Sequence, residues 1–226
     1  MASVLRFRVV SDASPIYLGQ RISSYLTGLS SAASGYSEIV LEMLIAPFFL
    51  FLFTFIVSDA QTVPDLNTTA YMGRWYQVYS DLLVEATFEN ASYCDTADYG
   101  LNTNGTISVL NRERQYGVDG PERRILGWAA QDNATAAPGQ LTVHLQTTWF
   151  GAPYWVYELG PVKDGLYEYS IVSDPLKATL FVLARNVSEF FALWNANVTA
   201  TLKNLGFTGL FNTPLATVQD NCTYWD

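Results

Sequence analysis

Between Arg74 and Arg185 turn residues cut the chain into eight short, apolar-rich runs, and that rhythm leaves it few ways to fold. The runs are Arg74 to Ser80, Ala97 to Leu101, Thr106 to Asn111, Arg123 to Gln131, Leu141 to Trp149, Tyr154 to Leu159, Leu166 to Val172 and Ala178 to Arg185. Asn104-Gly105 is a strong hairpin signal, and Asp119-Gly120-Pro121 and Gly160-Pro161 mark further reversals. Leu141, Val143 and Leu145 alternate with Thr142, His144 and Gln146, the period-two pattern of a strand with one buried face. Eight such strands suit an all-β fold, an up-and-down antiparallel barrel whose interior can hold one small ligand. Beyond them Phe190, Phe191, Trp194, Val198, Leu202 and Leu205 recur at helical steps. They predict one C-terminal helix, from an N-cap at Ser188 to a stop at Gly206, packed on the barrel.

Two short runs far apart in the chain set the ends of that barrel. Gly73-Arg74-Trp75-Tyr76 opens the first strand, and Leu183-Ala184-Arg185 closes the last. An Arg lying over the indole of Trp75 contributes roughly 0.5–2 kcal/mol and seals one end. Gly-x-Trp, then the Ser173-Asp174-Pro175 turn, then an Arg ending the last strand, resembles the signature of the lipocalin family. Tyr71 to Tyr76, Tyr154-Trp155-Val156 and Leu205-Gly206-Phe207 are similar to the group that holds apolipoprotein D, bacterial outer-membrane lipocalins and temperature-induced lipocalins. The resemblance runs from about Pro64 to Tyr224 and implies a cup for a small hydrophobic molecule. It assigns Gly73, Trp75, Asp174 and Arg185 to the closure motif. It also implies a Cys94–Cys222 disulfide from the start of a strand to the C-terminal tail. The lid over the mouth falls at Asp81 to Tyr93, an acidic stretch holding Glu85 and Glu89 that diverges from the family.

Strand alternation supplies candidates for the ligand wall. With Glu158 facing water, Trp155, Tyr157 and Leu159 point inward; with Glu168 outward, so do Tyr167, Tyr169 and Ile171. Phe181 and Leu183 share parity with Arg185. Tyr79, Val109, Val143 and Trp149 complete the wall. These side chains either line a cavity or fill it. Phenols at the edge suit an elongated apolar ligand with one polar end, of fatty acid, lysolipid, sterol, retinoid or carotenoid type.

Composition narrows the partners. The net charge is −9, which disfavours a phosphate backbone and so nucleic acid. A transient contact with membrane or lipid particles remains open to a carrier of apolar cargo. Leu44 to Val57 is short for a spanning helix and suits a signal-peptide core, with Ser58-Asp59-Ala60 predicting cleavage before Gln61. The chain therefore divides into an extension over 1–42, a signal peptide over 43–60 and one domain over 61–226. Translation from Met43 gives the compact leader, and a signal anchor is the competing reading. Asn67, Asn90, Asn104, Asn133, Asn186, Asn197 and Asn221 sit in Asn-x-Ser/Thr sequons, all beyond that leader, which points to N-glycosylation and a secreted or luminal protein. The only two cysteines, Cys94 and Cys222, allow one pairing in an oxidising compartment, against two unpaired thiols.

Nothing asks for catalysis, a cofactor or a metal. His144 is the only histidine and sits on the outward parity of its strand, so imidazole zinc sites and a Ser-His-Asp relay have little to draw on. Lipocalin-like barrels also include isomerases with a free pocket cysteine and de-epoxidases with a Cys-rich region, and neither feature occurs here. The expectation is a carrier rather than an enzyme, with a lipid or isoprenoid enzyme and a ligand-free surface protein as the other readings.

Overall fold

The computed structural model describes residues 62–225; the expected extension and leader lie outside them. A short helix, α1 (Thr68–Tyr71), precedes β1 (Gly73–Asp81). Asn67 caps it, its side-chain oxygen accepting from the Ala70 amide. α2 (Leu82–Thr87) follows, capped by Asp81. Then come β2 (Ser92–Leu101), β3 (Ile107–Gln115), β4 (Glu122–Asn133), β5 (Ala137–Leu145) and β6 (Ala152–Leu159). A small hairpin, β7 (Val162–Lys163) and β8 (Leu166–Tyr167), leads to β9 (Tyr169–Ser173) and β10 (Leu180–Ala184).

β10 pairs back onto β1, so eight antiparallel strands close into a barrel in the order β1, β2, β3, β4, β5, β6, β9, β10. The predicted fold class is therefore observed. One expected strand is displaced: β5 starts at Ala137 and ends at Leu145, leaving residues 146–151 as a loop.

The C-terminal helix begins with α3 (Val187–Glu189), passes through a π-helical stretch Phe190–Trp194, and continues as α4 (Asn195–Leu205). Its N-cap is Asn186, not Ser188; the Asn186 side chain accepts from the Glu189 amide. Gly206 stops it at φ +93, a left-handed backbone that glycine adopts without a Cβ penalty.

The apolar side chains form two clusters separated by the barrel wall. Inside lie Trp75, Ala97, Ile107, Val109, Ala129, Leu141, Val156, Val172 and Leu183. Between the wall and the helix lie Val78, Tyr157, Tyr169, Ile171, Val182, Phe190, Val198 and Leu202. The sheet is thus apolar on both faces beneath the helix and on one face elsewhere.

The tail completes the wall. β1 and β2 pair only from Gly73↔Tyr99 to Tyr76↔Thr96 and then separate towards the other end. The tail enters that gap. β11 (Pro214–Ala216) pairs with the end of β1, the Thr217 amide donates to Val78 O at 3.1 Å, and the Cys94 amide donates to Val218 O at 2.9 Å. Gln219 Nε2 bridges Gln77 O and Asp95 O, both at 2.8 Å. The Cys94–Cys222 disulfide fixes this wedge.

Candidate functional site: a barrel with a sealed floor and an acidic mouth

The floor is built around one buried cation. The Arg185 guanidinium carbon lies 3.5 Å from the Trp75 ring centroid. Its nitrogens donate to the carbonyls of Tyr167, Arg74, Ala70, Tyr71 and Met72 at 2.7–3.2 Å. Burial pulls its pKa down to about 10, so it stays charged at neutral pH. Gly73 sits at φ +92, and a Cβ there would stand 3.4 Å from Arg185 Nη1, so a side chain would strain the backbone and crowd the guanidinium. Asp174 plays no part in this closure. It lies at the opposite end of the strands, where its carboxylate accepts from the amides of Leu176, Ala178 and Thr179 and from Thr179 Oγ1. The Ser-Asp-Pro run shapes the β9–β10 turn rather than the floor.

Above Trp75 a chain of hydroxyls crosses the interior. Tyr71 Oη is 2.9 Å from Ser170 Oγ and 2.8 Å from Tyr154 Oη, and Tyr154 Oη is 3.3 Å from Tyr99 Oη. Burial pushes the Tyr71 phenol up to about 12, and Tyr99 and Tyr154 also upward. Tyr99 and Tyr154 nevertheless keep accessible side-chain surface, as do the inward-facing Val143 and Phe181. These four inward-facing residues are half-buried, whereas Trp75, Val109, Val156 and Val172 beside them are buried.

The wall differs from the sequence expectation strand by strand. Val109, Val143, Tyr167, Phe181 and Leu183 do face inward. Tyr79, Trp155, Tyr157 and Tyr169 face outward into the cluster beneath the helix. On β1 a bulge between Gln77 and Tyr79 reverses the alternation, so Tyr79 donates to Asn195 Oδ1 of α4 at 2.7 Å. On β6 a bulge between Val156 and Glu158 turns Tyr157 outward, where its hydroxyl donates to Asp174 O. Trp155 is outward because it pairs with Ser173, one residue away from the inward Val156↔Val172 pair. On β9 the strand is interrupted at Glu168, which puts Tyr167 inside and both Tyr169 and Ile171 outside. Trp149 is 99% exposed at the tip of the β5–β6 loop and belongs to no wall. The inward residues that strand alternation missed include Tyr99, Ile107, Tyr154, Val156, Ser170 and Val172.

The mouth is polar and acidic, as far as possible from Trp75 along the strands. Glu113 and Arg123, paired across β3 and β4, face inward and form a salt bridge at 2.8 Å. Asp95 sits in the β2 bulge, 6% exposed, bonded to Ser92 through one oxygen and without a partner for Oδ2. Glu89 accepts from Gln77 Nε2 at 2.6 Å, and Glu85 from Ser80 Oγ at 2.5 Å. Burial, and then mutual repulsion, pushes Asp95 up to about 7 and Glu89 well above the usual carboxylate range. The lid segment therefore folds its acids inward, towards the barrel, rather than into water.

His144 stacks on Trp128 with centroids 4.2 Å apart, on the outer face as expected. A cleft of about 680 Å³ also lies outside the barrel, between the start of the helix and the tail, with Tyr76, Phe191 and Tyr224 among its walls.

A closed eight-strand antiparallel barrel with a cation-sealed floor and a helix on one flank has the form of a cup. A family model described as a lipocalin-like domain matches residues 66–213. The chain is 35% identical over 94 residues to apolipoprotein D of Bos taurus, covering 41% of this chain and 45% of that protein. It is 30% identical over 128 residues to the outer membrane lipoprotein Blc of Vibrio cholerae, covering 57% and 70%. A solved structure of a biogenic amine-binding protein superposes with a TM-score of 0.50 at 17% identity, over 74% of this chain and 90% of that one. The match spans a little under half the length of its apolipoprotein D relatives. The chain belongs to the lipocalin family.

Proposed function

We propose that this lipocalin is an exported carrier that binds one small, mainly apolar molecule inside the barrel. The observation that carries the reading is the accessible surface on Tyr99, Val143, Tyr154 and Phe181 above a floor sealed by Arg185 and Trp75. Burying a ligand against such a surface gains about 25 cal/mol per Å² of apolar area, and the hydroxyl chain would orient a polar end. The ligand-contacting set is Val109, Val143, Tyr167, Phe181 and Leu183, with Tyr99 and Tyr154 added.

Export is the second part of the proposal, with 43–60 as leader and 61–226 as the mature domain. All seven sequon asparagines are exposed, and the disulfide suits an oxidising compartment. Exposed apolar side chains also cap the loops on the mouth side, with Tyr116, Trp149, Phe150 and Leu176 each more than 60% exposed. They support transient contact with a lipid surface where cargo is exchanged. We read the chain as a non-enzyme, because both sulfurs are tied in the disulfide and the single imidazole lies outside the barrel.

The test is displacement of a fluorescent apolar probe from wild type and from Val143→Trp, which fills the wall at a half-buried inward position. Saturable binding by the wild type, lost in the variant while the fold persists, supports the reading. A wild type that binds no apolar molecule removes it.

A further inference from the structure

The hydroxyl chain above the floor holds one proton more than its bonds use. Ser170, Tyr71, Tyr154 and Tyr99 carry four O–H protons and make three contacts with one another. Ser170 and Tyr71 are buried, and neither hydroxyl has another partner among the described residues. Running the chain from Ser170 through Tyr71 and Tyr154 to Tyr99 places each buried proton in a bond. The reverse direction strands a proton on Ser170, which is 0% exposed and has nothing else to donate to. The spare donor therefore falls on Tyr99, at the end that keeps accessible surface, and the aligned chain strengthens it.

The surroundings make this donor selective. Arg185 supplies positive field from below, yet its guanidinium is already committed to five backbone carbonyls. Within the hydroxyl chain Tyr99 is the one group with a proton to spare. At the opposite end Glu85, Glu89, Asp95 and Glu113 gather, with Arg123, paired with Glu113, as the one cation bonded to any of them among the described residues.

We propose that the barrel selects neutral ligands ended by a carbonyl, a ketone or aldehyde whose oxygen accepts from Tyr99 Oη, and discriminates against carboxylates. This deepens the carrier reading and rests on it. A ketone oxygen needs one donor, and the floor offers one. A carboxylate needs two or three donors to offset its desolvation, finds one in the hydroxyl chain, and on entry passes the carboxyl groups of the mouth, of which Asp95, raised to about 7, is ionised at pH 8. An ammonium ion is drawn to the mouth but leaves the floor donor unpartnered and meets Arg185 below. The fatty acids in the sequence-based ligand range thus drop out of it.

The experiment uses the full mature, disulfide-bonded protein at pH 8, with dodecan-2-one, dodecanoate and dodecylammonium displacing one neutral fluorescent probe. The ketone should bind at least about tenfold more tightly than either ion. Tyr99→Phe, which keeps the ring and removes the donor, should weaken the ketone about five- to tenfold, several times more than it changes the affinity of the neutral probe. Asp95→Asn with Glu89→Gln should strengthen dodecanoate and leave the ketone as it was. Dodecanoate binding as tightly as the ketone, or a ketone indifferent to Tyr99→Phe, overturns the proposal while a bound neutral probe keeps the carrier reading. Failure of the probe to bind at all overturns both.

Discussion

Opening the Cys94–Cys222 disulfide tests how far the tail is part of the barrel. The bond closes a loop of 128 residues. In the chain-entropy treatment a loop of that size removes about 17 cal/mol/K from the unfolded ensemble, or about 5 kcal/mol at 25 °C. At about 2–4 °C per kcal/mol for a domain of this size, Cys94→Ser with Cys222→Ser should lower Tm by about 10–20 °C. The damage should also be local. The released tail carries the amides and carbonyls that bridge β1 to β2, at Thr217, Val218 and Gln219. It also carries Trp225, whose ring lies 4.7 Å from the Arg114 guanidinium. Circular dichroism melts of the oxidised wild type and the double variant give the first quantity. Amide exchange at Cys94 and Thr217, compared with the β3–β4 ladder, gives the second. A Tm loss under about 3 °C would refute the entropic argument. Equal protection at Cys94 and in the β3–β4 ladder would refute the account of the tail as wall.

Two further perturbations address the ends of the barrel. Arg185→Met removes a cation whose nitrogens satisfy five carbonyls and whose plane covers Trp75, and should cost about 3 kcal/mol or more, read by urea unfolding; a loss under about 1 kcal/mol would contradict the floor as described. At the mouth Asp95 is raised from 3.8 to about 7, so between about pH 4 and 7 the folded state holds a proton that the unfolded state has lost. That contribution is complete below pH 4 and is lost as pH rises through 7, on the order of 4 kcal/mol in all. Asp95→Asn should therefore gain stability over wild type steadily from about pH 4 to pH 7 and level off above it, and parallel Tm–pH profiles would show that the carboxylate is not held in the protonated form.

The strands that sequence placed correctly are those with one covered face. On β3 and β5 inward Val109 and Val143 alternate with outward polar residues such as Ser108 and His144, so parity could be read directly. Beneath the helix both faces are apolar, and alternation loses its meaning. There Tyr79, Trp155, Tyr157 and Tyr169 were assigned inward, and they pack outward against Phe190 and its neighbours. Glu158 and Glu168 were the anchors for that assignment, and each sits beside a break in its strand. A single bulge reverses every side chain beyond it, and nothing in the local residue types marks where the bulge falls.

The closure of the floor was legible because Gly73, Trp75 and Arg185 are a fixed combination with one geometric meaning. The acidic mouth was not. Glu85 and Glu89 were recognised as acids of the lid, but reading carboxylates as solvated surface sends Asp95 and Glu113 outward. Their convergence depends on the bulge at Cys94 and on the lid folding inward, which are properties of three separate elements. The hydroxyl chain escaped for the same reason, since Tyr71, Tyr99, Tyr154 and Ser170 come from α1, β2, β6 and β9.

The carrier proposed above holds a small molecule inside its barrel. Native mass spectrometry of the oxidised protein, purified without detergent from its own source, measures this directly. The expected spectrum shows a non-covalent adduct of about a few hundred daltons, released on denaturation and absent from Val143→Trp. A protein that arrives only at the mass of its covalent chain, and stays so after incubation with neutral apolar carbonyl compounds, would contradict it.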